Sequence, residues 1–220
     1  MTVKDSTSQS AGCYWCGGTT TSVEHVPPSN LFPKGHRIDL ITVPSCKKHN
    51  EELHKLDERF RFYLQARETN AVALAAFKDK TIRSLSRPER PGLAKSIAAK
   101  SHRVQAGGQK TIAMEIYPAD QNLYFEKIIR GLYFHIFKTQ ATGRIVSFSR
   151  DFIVPGLDYD TPERMILPLL NDSTVAVRGK CSNPKVFDFR YVRVTEQHKE
   201  VFAVEMVFYE GVKVYGFITP

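Results

Sequence analysis

Long apolar runs are missing from this 220-residue chain: no stretch approaches the ~18 consecutive apolar residues that read as a membrane span. Its opening, MTVKDSTSQS, is polar and has no apolar segment of the kind that directs secretion. A soluble, cytoplasmic protein with no membrane partner is expected. Cysteine is scarce, at four residues. In a reducing compartment such cysteines serve as metal ligands or buried thiols rather than as disulfides. There is no internal repeat and no low-complexity tract. With 42% hydrophobic residues the chain can bury a core unaided, as one large or two small domains.

Acidic charge is short in one half only. Residues 1–110 carry 18 Lys and Arg against 10 Asp and Glu, whereas residues 111–220 carry 13 of each, so the net +8 lies entirely in the first half. Between Lys78 and Lys110 nine basic residues meet two acids, Asp79 and Glu89. A polyanion such as nucleic acid is the usual partner of such a segment. A solvated linker kept soluble by its charge has the same composition.

Breaks in composition divide the chain. Ser86–Gly92 (SRPERPG) interrupts a helical region, and Gln105–Lys110 (QAGGQK) reads as a flexible hinge. The expected organisation is a compact module over 11–68, a basic helical segment and linker over 69–109, and a second α+β domain over 110–220. In the module, 19–26 and 39–43 are β-prone, and Leu53, Leu56, Phe60 and Leu64 predict a helix over about 47–67. Beyond the hinge, TIAMEIYP reads as a strand. Phe125, Ile128, Ile129, Leu132 and Ile136 form the buried stripe of an amphipathic helix. Four later segments alternate as half-buried antiparallel strands, with a turn at Glu210–Lys213.

Chemistry is concentrated in the first module. Cys13-x-x-Cys16 lies about thirty residues before Cys46-x-x-His49, and two short chelating pairs joined by a loop supply the three thiolates and one imidazole of a structural zinc site. Cys181 has no such partner and is read as structural. Glu24-His25 falls between the two pairs, Asn50 follows the last ligand, and His54 lies one helical turn beyond. Carboxylate, imidazole and amide together suit a hard divalent cation and a general base.

Cys13, Cys16, Glu24, His25, Cys46, His49 and Asn50 together resemble the HNH endonucleases, a family with a ββα-metal fold, in their zinc-stapled subgroup. EHVPPSNLFP, LITVPSC and KLDERFRFYL extend the resemblance over roughly 11–65. Three positions depart from the pattern: His49 stands where Cys is usual, Glu24 where Asp is commoner, and Leu56 where an acid is expected. The resemblance implies that His25 takes a proton from the attacking water. It implies that Glu24 and Asn50 hold magnesium or manganese, with His54 as a further ligand or a solvated helix residue. The implied products are a 5′-phosphate and a 3′-hydroxyl.

The expected function is therefore metal-dependent hydrolysis of nucleic acid, double-stranded DNA foremost. The alternative is a non-catalytic zinc-containing nucleic-acid-binding or regulatory protein with a decayed site. Lys34, His36, Arg37, Lys47, Lys48, Lys78, Lys80 and Arg83 are the expected contacts to nucleic acid. Residues 110–220, near-neutral and strand-rich, suit a homo-oligomer or partner-protein interface. His135 is expected in a core or interface, and His102 and His198 are expected to be exposed.

Overall fold

A computed structural model describes residues 12–85, 92–106, 108–152, 158–196 and 199–219. The expected break at Ser86–Gly92 and the expected exposure of His198 lie outside these residues, except for Gly92 itself. The fold class is α+β. Strands β1 (Ser22–His25) and β2 (Thr42–Ser45) form an antiparallel hairpin, followed by α1 (Lys47–Asn50) and α2 (His54–Gln65). Then come α3 (Ala71–Ala76), a π-helical turn (Phe77–Ile82), α4 (Arg83–Leu85) and α5 (Gly92–Ala99). A second hairpin pairs β3 (Ser101–Ala106) with β4 (Gln109–Met114). The long helix α6 (Pro118–Phe137) leads to β5 (Arg144–Phe148) and α7 (Asp160–Asn171). Strands β6 (Val177–Arg178), β7 (Phe187–Glu196), β8 (Lys199–Phe208) and β9 (Val212–Thr219) complete an antiparallel sheet of order β5-β9-β8-β7-β6. No helix among the described residues is long and apolar enough to cross a membrane.

Alternation in the sheet strands decides which helix covers which face. Phe202, Val204, Met206 and Phe208 of β8 join the main core with Phe125, Ile129 and Leu132 of α6. The intervening Ala203 joins Val192, Phe148 and Tyr215 beneath Ile166 and Leu170 of α7. Helix α6 is also the seat of the first hairpin. A Cβ on Gly131 would come within 2.5 Å of Val26, and one on Gly216 within 2.3 Å of Ile129. Those two glycines let the helix approach β9 on one side and the end of β1 on the other. One core therefore runs from the first module into the C-terminal sheet, with Phe60 of α2 stacked on Tyr124 of α6 at 4.1 Å between ring centroids.

Two elements differ from the sequence reading. The single helix expected over 47–67 is interrupted: Asn50 has φ −118°, Glu51–Leu53 is a 3₁₀ turn, and α2 starts at His54. The Asn50 amide donates to Ser22 Oγ at 2.9 Å and to the Val23 carbonyl at 3.3 Å, and such side-chain bonds compete with helix continuation. The segment expected to be helix and hinge over 101–110 belongs instead to a hairpin. Two consecutive glycines between alternating stretches are a tight-turn signal, and Gly108 takes the required positive φ of 79°.

Tyr209 locks the first module to the sheet. Its buried hydroxyl donates to the Leu31 carbonyl at 2.5 Å and accepts from Gln65 Nε2 at 2.8 Å, while Gln65 Oε1 accepts from Thr81 Oγ1 at 2.6 Å. Tyr209 itself sits at φ 49°, an uncommon conformation for a bulky residue that the network holds in place. Tyr209→Phe leaves buried polar groups of Leu31 and Gln65 without this partner, so it is expected to cost about 1–3 kcal/mol in urea unfolding. An unchanged midpoint would show that the hydroxyl contributes nothing.

Candidate metal centre and cationic cleft

Backbone turns deliver the four metal-ligand candidates to one point. Gly17 N–H donates to the Cys13 carbonyl and Cys13 N–H to the Gly18 carbonyl, both at 2.8 Å, with Gly17 at φ 72°. This knuckle is hung on the first hairpin by Tyr14 N–H, which donates to the Pro44 carbonyl at 2.8 Å. Cys46 follows β2 directly and is the N-cap of α1, which carries His49. The ligand atoms of Cys13, Cys16, Cys46 and His49 all lie within 4.8 Å of one another. Cys16 Sγ is 3.9 Å from Cys46 Sγ, and His49 Nδ1 is 3.3 Å from Cys46 Sγ and 3.5 Å from Cys13 Sγ. Tetrahedral zinc with Zn–S bonds of about 2.3 Å requires sulfur–sulfur edges of about 3.8 Å. The group could therefore hold a structural metal such as zinc.

The surroundings favour the ligating forms of Cys13 and His49, whereas Cys16 is raised, the Gly18 amide being outweighed by burial and by Cys13 and Cys46. Burial raises the Cys13 pKa, but the backbone amides of Cys16, Trp15 and Cys46 outweigh it and lower the thiol below its usual value. Burial, then Lys48 and Arg130, lower His49 and keep its imidazole neutral. Trp15 stacks on the His49 ring at 4.7 Å and 10°, and the Arg130 guanidinium lies 5.4 Å from the Trp15 ring centroid.

Glu24 and His25 are neighbours on a strand, so their side chains leave opposite faces. Glu24, opposite Val43, points into the core and is 4% exposed; His25, opposite Thr42, is half-buried on the other face. The Glu24 carboxylate meets Lys127 of α6, with Nζ 3.4 Å from Oε1. Lys127 also donates to both Asp57 oxygens, at 2.8 and 3.0 Å. One ammonium thus serves two buried carboxylates. Burial foremost, opposed by Lys127 and reinforced by Asp57, pushes Glu24 up to about 7. Burial likewise raises Asp57, against the pull of Lys127. The Tyr14 and Tyr124 phenols are raised by burial and then by these carboxylates, and so remain protonated.

The divalent ion implied by the resemblance does not fit the donors as they are arranged. The misfit rests on Glu24, whose buried carboxylate faces Lys127; Asn50 bonds Ser22 and Val23 through its amide nitrogen, and His54 Nδ1 is 2.9 Å from the Glu51 carbonyl. Among the described residues the Cys13, Cys16, Cys46 and His49 group is the only set of three or more His, Cys, Asp and Glu close enough to share one ion.

His25 looks towards positive charge. Burial first, then Arg37, lowers its pKa and favours the neutral imidazole. Arg37 lines a cleft of about 990 Å³ with Lys34 and His36 from the β1–β2 connection and with Lys80 and Arg83 from the π turn and α4. Five of the eight expected nucleic-acid contacts therefore share one cleft, although they come from segments some forty residues apart. Lys47, Lys48 and Lys78 are exposed and do not line it. Asp79, also in the lining, pairs with Arg83. The Lys80 ammonium is lowered by burial and then by Arg61 and Arg37, a crowding of like charge that a bound anion relieves.

Lys127, Asp57 and Arg61 shape this region, and sequence reasoning gave none of the three a central part. A signal for Lys127 exists: it sits inside the apolar stripe of α6, between Tyr124 and Gly131. His135 is half-buried, and His102 is exposed and paired with Glu115 at 3.0 Å. Cys181 donates to the Phe187 carbonyl at 2.8 Å. Comparison of the chain with protein families, curated proteins and solved structures returns no match.

Purified protein is expected to hold about one zinc per chain, and His49→Ala to lose it; metal analysis finding none would remove the Cys3His assignment. A second expectation concerns pH. A carboxyl whose folded pKa is raised stabilises the fold fully below its unfolded value and loses that contribution as pH rises through the folded value. Between pH 4.5 and about 7 the wild type should lose stability relative to Glu24→Gln, by at most roughly 1.4 kcal/mol per pH unit. Parallel urea midpoints for the two proteins over that range would contradict the burial of Glu24.

Proposed function

We propose that the chain is a zinc-stapled endonuclease of the HNH type, hydrolysing phosphodiester bonds of nucleic acid with His25 as the base. The observation that supports this most is His25, kept neutral at the end of a zinc-clamped hairpin beside Arg37 of a cationic cleft. A neutral imidazole accepts a proton from water at pH 7. Arg37 and Lys80 hold the phosphodiester and offset the negative charge that develops as water attacks in line. The bond between phosphorus and the 3′-oxygen breaks, the 3′-oxygen takes up a proton from solvent, and the phosphate remains on the 5′ side, as the resemblance implies. Glu24 takes a different role in this reading: it anchors the strand to Lys127, and no step passes through it.

One observation favours a second reading. In a zinc-stapled binding protein without catalysis, a carboxylate in the position of Glu24 is free to become a core ion pair, as it is here. Plasmid nicking in magnesium or manganese separates the two. The nuclease reading expects cleavage that falls by about 10²–10⁴-fold in His25→Ala at unchanged zinc content. If wild type and His25→Ala bind DNA alike and neither cuts, the binding reading holds.

A further inference from the structure

The β3–β4 hairpin has no part in the cleft, yet it is built as an arm. From His102 to Ala113 every described side chain is exposed, including Val104 and Ile112, which is 62% exposed. Only its base is seated: Met114 packs against the core, Glu115 N–H donates to the Lys100 carbonyl at 2.9 Å, and the Lys100 ammonium lies 3.7 Å from the Tyr117 ring centroid. An isolated two-stranded hairpin is marginal in water, so a partner that covers it also stabilises it.

Charge and pattern identify that partner. Residues 92–114 include four Lys and Arg (Lys95, Lys100, Arg103, Lys110) and no Asp or Glu. The register puts Arg103 opposite Ile112 and Gln105 opposite Lys110. Alternation then places Arg103, Gln105, Lys110 and Ile112 on one face. Two cations, an amide and an apolar branch on one face of a ribbon match phosphates, base edges and a thymine methyl group. The major groove of B-form DNA, about 12 Å wide, admits a two-stranded ribbon, whereas the deep, narrow major groove of A-form RNA does not.

We propose that the β3–β4 hairpin lies in the major groove of duplex DNA. The proposal rests on the reading of the chain as a nucleic-acid protein and narrows its substrate to B-form duplex. Arg103 and Lys110 contact the strands, while Gln105 and Ile112 face the base edges. The zinc-clamped module and its cleft then meet the same duplex, so grip and cut are assigned to separate parts of the chain.

The test compares full-length zinc-loaded wild type with Arg103→Ala/Lys110→Ala and, at the same sites, Arg103→Glu/Lys110→Glu. Binding to a DNA duplex and to an RNA duplex of equal sequence is measured across salt concentrations, with zinc content and melting temperature recorded. The expected result is a wild-type preference for DNA. The alanine pair should lose about tenfold or more in DNA affinity, with a salt slope shallower by about 1 for each phosphate contact removed, and the glutamate pair should lose more. Guanine N7 methylation should interfere with wild-type binding and not with what binding the variants retain. Equal affinities for wild type and both variants, or no N7 interference, would overturn the arm while leaving the nuclease reading in place. Tight arm-dependent binding without cleavage would support the arm and remove the nuclease reading. Wild type that binds neither duplex would overturn both.

Discussion

Lys127 is where the first module, α2 and α6 meet, and the rest of the arrangement depends on that contact. Burying an ammonium and two carboxylates costs several kcal/mol per ion in desolvation, and their mutual attraction offsets this only when the geometry is close. Here it is close: two hydrogen bonds to Asp57 and a 3.4 Å approach to Glu24. The consequence for function is geometric. With Glu24 held inward, strand alternation turns His25 outward. The carboxylate and the imidazole are divided between the two faces of the strand.

Other ties keep that division rigid. The Cys3His group, with a metal bound, would clamp the start of the hairpin to α1, and Tyr209 joins Leu31 and Gln65 to the far sheet. The cleft opens between the β1–β2 connection and the π turn, so its cations are carried on segments that the Tyr209–Gln65–Thr81 network also fixes. Arg37, Lys80 and Arg61 are mutually repulsive neighbours held by the surrounding fold. Their like charges disfavour one another, which lowers the Lys80 ammonium after burial has done so.

Much of this was legible in the sequence because it rests on spacing. Two chelating pairs thirty residues apart converge as a metal group, and period-two alternation identified the sheet strands. The buried stripe of α6 was also readable: Phe125, Ile128, Ile129 and Leu132 are buried, while Ile136 is only partly so. What escaped has a physical pattern. Adjacency of Glu24 and His25 suggested a shared site, but on a strand adjacent side chains separate. Lys127 lies 103 residues from Glu24 and 70 from Asp57, a pairing that only the docking of α6 creates. TIAMEIYP reads as a strand and overlaps β4, but β3 was masked by its composition, since basic and small residues without a buried face carry little strand signal.

The central claim is that Glu24 belongs to the core ion cluster with Lys127 and Asp57 and not to a metal site. It is tested most directly by manganese binding to the zinc-loaded protein, measured calorimetrically for wild type and Glu24→Gln. Equal manganese affinity in the two proteins is the predicted result. A marked loss of manganese binding in Glu24→Gln would contradict the account and return Glu24 to the metal.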